Sequence, residues 1–108
     1  MNLFARWLRA FALTQIIEVP IYRRAFGSSL LEAFGASAIT HPLVFWFNAS
    51  HAWHVAWGWR AAACELFAWW VEALYFAVLG RRRVLAWTLI ANSSSFLFGL
   101  GCWYLVGV

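Results

Sequence analysis

Cys64-Glu65-Leu66-Phe67-Ala68-Trp69-Trp70-Val71-Glu72-Ala73-Leu74-Tyr75 sets two carboxylates inside an apolar run that stops at Gly80 and Arg81-Arg82-Arg83. Seven residues is nearly two helical turns, so Glu65 and Glu72 fall on one helix face, about 10 Å apart along the axis. Trp69 is expected between them on that face. A carboxylate at bilayer depth is costly and faces a protein interior, so this helix needs neighbours that can receive Glu65 and Glu72.

Composition identifies the solvent those neighbours share. Of 108 residues 65% are hydrophobic and only 11% charged, with a mean hydropathy of +0.72. A soluble domain of this size needs more polar surface than that. The expected fold class is therefore all-α integral membrane, a bundle of four transmembrane helices in contact with the lipid bilayer. The length suits four spans of about 20 residues with short connections and leaves no room for a soluble domain besides. Nine Trp and three Tyr suit a chain that crosses many interfaces. All eight basic residues are Arg, and they fall at span ends, so the net charge of +4 reads as membrane orientation and not as nucleic-acid binding. Cys64 and Cys102 have no CxxC or His-rich company, so neither a disulfide framework nor a zinc site is expected.

Outward from the opening stretch, spans are expected at about residues 3–22, 30–47, 61–80 and 84–106. Arg6 and Arg9 can snorkel at the start of the first, and Pro20 with Arg23-Arg24 marks its end. Glu18 and Pro20 interrupt its apolar region and no small-x-small cleavage site follows, so it is expected to be retained and not removed as a signal peptide. Ser29 and Glu32 match a capping box opening the second span, and Pro42 predicts a loosened turn beside His41. Residues 48–60 read as an interfacial Trp-rich loop or short helix, with His51 and His54 as solvated loop histidines. In the last span Thr88, Asn92, Ser95 and Gly99 recur at helical spacing as a polar, small-residue stripe.

This topology puts Arg23 and Arg24 on one side with Arg81, Arg82 and Arg83, which the positive-inside bias makes cytoplasmic, in a bacterial inner membrane. Counted from that side, Glu18 lies about 6 Å deep, Glu72 and Asn92 about 12 Å, and His41 and Glu65 about 18 to 23 Å. Two groupings are expected: Glu18, Glu72 and Asn92, and beyond them His41 with Glu65, bridged by Trp69. A faint repeat pairs Glu18, Tyr22 and His41 with Glu72, Tyr75 and Asn92, as in two parallel hairpins related by an axis along the membrane normal.

No Lys or Arg lies at the depth of Glu18, Glu65 and Glu72. Three buried anions without a cation cannot all stay charged, so they must be protonated, hydrogen-bonded, reached by water or bound to a cation. The proton or cation site is expected at Glu18, Glu72, Asn92, Glu65 and His41, with Ser95, Thr88, Trp69 and Tyr75 lining it. A metal centre is not expected, since no Glu-x-x-His or His-x-x-x-His occurs, nor is any cofactor. With no Gly-x-Ser-x-Gly and no Asp, neither is an enzyme.

In size, span number and the glutamate of the first span, Glu18, the chain resembles the small multidrug resistance transporters. That resemblance implies proton-coupled export by a dimer. It covers architecture and Glu18 only: the Gly-rich packing motifs of that family's middle spans are not visible, and Glu65, Glu72 and His41 exceed its single essential carboxylate. The leading expectation is proton or cation translocation, or proton-coupled transport, by a homo-oligomer with Glu72 and Glu18 as exchange site and Glu65 with His41 as a second relay. The competing one is a non-catalytic accessory subunit, its acids structural hydrogen-bonding groups and its Phe- and Trp-rich outer faces binding a partner membrane protein. A water-reachable path to Glu72 favours the first, and a dry interior the second.

Overall fold

The computed structural model describes residues 2–49 and 57–106, so His51, His54 and most of the Trp-rich loop lie outside the described residues. The described chain is all-helical: α1 (Leu3–Phe26), α2 (Leu30–Ala49), α3 (Trp57–Val78) and α4 (Val84–Val106). Each helix packs on its two neighbours in a ring, α1 on α2 and α4, α3 on α2 and α4. Neighbours run antiparallel, and the diagonal helices α1 and α3 run parallel. Stretches of α2, α3 and α4 are long and apolar enough to cross a membrane: Leu30–Phe47, Gly58–Val78 and Val84–Cys102. At 24 residues α1 has the length, but it carries Arg6, Arg9, Glu18, Arg23 and Arg24.

The helix ends follow local chemistry. The Asn2 side chain accepts from the Ala5 N–H at 2.7 Å, and Gly27 closes α1 in the left-handed region at φ +62°, where a Cβ would be strained. Pro20 does not end α1 as the sequence reading expects. The helix continues six residues past it to Phe26, with Arg23 and Arg24 complementing the negative end of the helix dipole. Ser29 Oγ accepts from the Glu32 N–H at 3.1 Å, so half of the expected capping box forms. The other half does not, because the Glu32 carboxylate turns to Arg81 at 2.9 Å. Both side chains are about one-third exposed, so this ion pair contributes about 0–1 kcal/mol while clipping the two Arg-bearing turns together. Helix α3 begins at Trp57, ahead of the expected residue 61. It ends in a Schellman motif, with Gly80 (φ +82°) donating to Ala77 C=O at 3.0 Å and Arg81 N–H to Phe76 C=O at 2.9 Å.

The packed core occupies the end of the ring nearest those Arg-bearing turns. Tyr22, Phe26 and Phe76 fill it as one ring cluster, with centroids 4.6 Å apart for Tyr22–Phe76 and 4.5 Å for Phe26–Phe76, against buried Ala33, Ala36 and Ala91. Beside it Tyr75 Oη donates to Glu32 C=O at 2.9 Å, passing over Gly35, where a Cβ would sit 2.7 Å from that oxygen. Gly35 is therefore where α3 and α2 approach closely, at the cost of a small-residue requirement.

Candidate functional site

The site lies just beyond the ring cluster, where α1 and α3 face each other across the bundle. Glu18 and Glu72, each 1% exposed, are brought there into one cluster of side-chain donors. Glu18 Oε1 accepts from Ser37 Oγ at 2.5 Å and Oε2 from Ser95 Oγ at 2.6 Å. Glu72 Oε1 accepts from the Tyr22 hydroxyl and from Asn92 Nδ2 at 3.3 Å, and Oε2 from Thr40 Oγ1 at 2.6 Å. Every carboxyl oxygen thus has a donor, and every donor is neutral. Backbone carbonyls hold the donors in place: Asn92 Nδ2 also donates to Thr88 C=O at 2.8 Å, and the Ser95 and Thr40 hydroxyls lie 3.1 and 3.3 Å from Asn92 C=O and Ala36 C=O.

Helical spacing explains why these residues meet. Ser37 and Thr40 lie three apart on α2 and Asn92 and Ser95 three apart on α4, so each helix presents a two-donor face to the interior. Each carboxyl takes one donor from each of those helices. The bonds relate the two hairpins by a register in which Glu18 matches Glu72, Tyr22 matches Phe76, Ser37 matches Asn92 and Thr40 matches Ser95. This differs from the register read from sequence, which sets Tyr75 against Tyr22 and Asn92 against His41. The mismatch arises because Tyr75 leaves the interior for the Glu32 carbonyl, while Tyr22 reaches across to the opposite hairpin's glutamate.

From the carboxyl pair a cavity of about 850 Å³ extends toward the end of the bundle opposite the Arg-rich turns. Glu18, Glu72, Thr40, Asn92 and Ser95 form its inner end, and Arg6, Arg9 and Tyr104 line its mouth. Glu65 and His41 both line this cavity. No hydrogen bond joins them, so they share a space without forming the expected second pair. His41 packs edge-on against Phe11, centroids 5.5 Å apart, and its buried Nδ1 has no hydrogen-bond partner. Ala68, and not Trp69, lies between Glu65 and Glu72 on the cavity wall. The Trp69 indole turns to α4 and donates to Leu85 C=O at 2.8 Å. Thr88, fully buried, returns its hydroxyl to Val84 C=O at 2.5 Å and serves the site only through its carbonyl. Tyr75 packs between α3 and α2, away from the cavity lining.

Tyr22, Ser37 and Thr40 are the members of the site that sequence reasoning left unassigned. The spacing of Ser37 and Thr40 is visible in the chain, but which carboxyl each serves depends on the register between helices. Among the described residues, no group of three or more His, Cys, Asp or Glu side chains is arranged to hold a metal ion. What fold and site define is an all-helical protein with three segments long and apolar enough to cross a membrane and a buried pair of carboxyls at the inner end of a cavity. Comparison with protein-family models, with characterised proteins and with solved structures finds no match.

Proposed function

We propose that this protein is a proton-coupled membrane transporter whose exchange site is the Glu18–Glu72 pair. The observation that carries the reading is the one-sided cavity. It reaches the pair from the end bearing Arg6 and Arg9, while Tyr22, Phe26 and Phe76 close the other side. A buried site open to one face and sealed from the other is what alternating access requires, whereas a channel needs a continuous path. Two buried carboxyls in one cluster, with only neutral donors around them, hold one proton or one cation more readily than two negative charges. The donors then position that pair without neutralising it.

In this reading α1 is the fourth span. Its 24 residues cover about 36 Å, its glutamate is buried among donors, and its arginines sit toward its two ends, Arg23 and Arg24 at one interface and Arg6 and Arg9 at the outer part of the cavity. The turns carrying Arg23, Arg24 and Arg81 to Arg83 face the cytoplasm of a bacterial inner membrane, so the cavity opens outward. Exposed apolar residues such as Leu66, Trp70, Leu74 and Val78 face lipid or a second copy.

The test is proton flux in liposomes carrying the purified protein, comparing the parent with Glu72→Gln, which keeps the shape but cannot ionise. A fall of at least tenfold with helical content intact is the expected result. No flux above protein-free vesicles in the parent, across pH and with common cations, would overturn the proposal and favour the accessory-subunit reading.

A further inference from the structure

Proton exchange at the inner end leaves the mouth of the cavity without a task. Arg6 and Arg9 from α1 and Glu65 from α3 line that region. None of the three makes an ion pair, the Arg81–Glu32 bridge at the opposite end being the one among the described residues. Glu65 accepts no hydrogen bond from them either, although it is half-buried, and an unpaired carboxylate in such a setting is costly. Depth matters here. Glu65 lies seven residues mouthward of Glu72, and Arg9 lies nine residues mouthward of Glu18, about 10 and 14 Å along parallel helices. The sequence reading sets no Arg at the depth of Glu65; in the structure opposite charges stand at nearly the same depth, on diagonal helices that both line the cavity.

Size and lining point the same way. A proton needs no chamber, whereas about 850 Å³ falls within the range of about 300–1,000 Å³ usual for small-molecule sites. Leu13, Val44, Phe45 and Leu100 supply apolar wall in this cavity, with Thr14 and His41 as polar members among them. We propose that the outer cavity binds a small zwitterion with an apolar body, of the α-amino-acid type, its ammonium on Glu65 and its carboxylate on Arg9 and Arg6. Such a ligand supplies both missing counter-charges at once, which a simple cation or anion does not. The site rests on the reading of this cavity as a transport route and assigns that route a cargo.

Equilibrium dialysis of the intact protein in detergent, with labelled leucine, leucine methyl ester and N-acetylleucine, tests it. Leucine is expected to bind saturably, and the ester (ammonium only) and the acetyl compound (carboxylate only) at least tenfold more weakly. Glu65→Gln and Arg9→Gln should each weaken leucine binding at least tenfold, with Arg9→Lys recovering part of the loss and circular dichroism reporting that each variant folds. Ester binding equal to that of leucine, with Arg9→Gln neutral, would overturn the proposal in favour of a simple organic cation. Absence of saturable binding by leucine and by phenylalanine would overturn it outright. Binding at equilibrium requires no flux, so the two readings fail separately: leucine binding by a parent that carries no proton flux overturns the proton-exchange reading alone, and proton flux without saturable leucine binding overturns the cargo assignment alone.

Discussion

Replacing Tyr22 with Phe removes one oxygen and leaves everything else in place. The ring is fully buried and packs on Phe76 at 4.6 Å and Phe26 at 5.9 Å between centroids. Phe keeps those contacts, so the transfer and cavity terms of a large-to-small substitution do not enter. What is lost is the hydroxyl bond to Glu72 Oε1 and the long contact from Asn92 Nδ2 at 3.4 Å. Hydrogen bonds to charged groups contribute about 1.5–3 kcal/mol, whereas interhelical bonds in membranes average about 0.6 and reach about 1.7 kcal/mol. Glu72 keeps Asn92 at 3.3 Å and Thr40 at 2.6 Å, which softens the loss. The expected cost is therefore about 1–1.5 kcal/mol, in the upper part of the membrane range. Tyr22→Ala, which also removes the ring, should cost about 3–5 kcal/mol. Equilibrium unfolding in mixed detergent micelles, followed by circular dichroism, reads both. A Phe variant within about 0.5 kcal/mol of the parent, the scatter of neutral substitutions, would refute the bond to Glu72. A Phe variant as unstable as the Ala variant would refute the separation of hydroxyl from ring.

Two further outcomes are expected. If Glu18 and Glu72 hold one proton between them, Glu18→Gln and Glu72→Gln should each lower proton flux at least tenfold and the double variant should be no slower than the worse single one; multiplying losses would indicate two independent sites. Gly35→Ala places a methyl 2.7 Å from Tyr75 Oη and should cost about 1–3 kcal/mol by displacing the phenol from Glu32 C=O. Tyr75→Phe removes the obstructing atom and leaves the ring carbon at an ordinary 3.5 Å, so unfolding of the four-member cycle should show the two substitutions partly cancelling, and simple additivity would count against this packing.

Helix number and approximate bounds were legible because each span is a local pattern: an apolar run bounded by Arg, Gly or a capping Ser. Errors fell at the ends. Pro20 reads as a stop, yet the helix carries it six residues inside its end, where losing a single backbone bond is outweighed by packing of Tyr22 and Phe26. Trp57 reads as part of an interfacial loop or short helix and begins α3, four residues ahead of the expected start of that span. At the site, Glu18, Glu72, Asn92 and Ser95 were singled out from burial cost alone, since few neutral partners exist in so apolar a chain. Trp69 shows where face arithmetic runs out. Residues 68 and 69 flank the Glu65–Glu72 line almost equally, and the bond to the Leu85 carbonyl turns the indole toward α4 while Ala68 lines the cavity.

By itself the sequence determined the solvent, the helical class and the presence of acids that must find partners, because hydropathy, helical period and the cost of buried charge are properties of the chain and its medium. Only the tertiary structure decided which partners they find. The register between antiparallel helices assigns Ser37 and Ser95 to Glu18, and Thr40, Asn92 and Tyr22 to Glu72. The same packing places the ring cluster at one end and the cavity at the other. A shift of a few residues between helices would have left every composition, period and capping signal unchanged while pairing each glutamate with different groups, so that choice rests on side chains interlocking between helices.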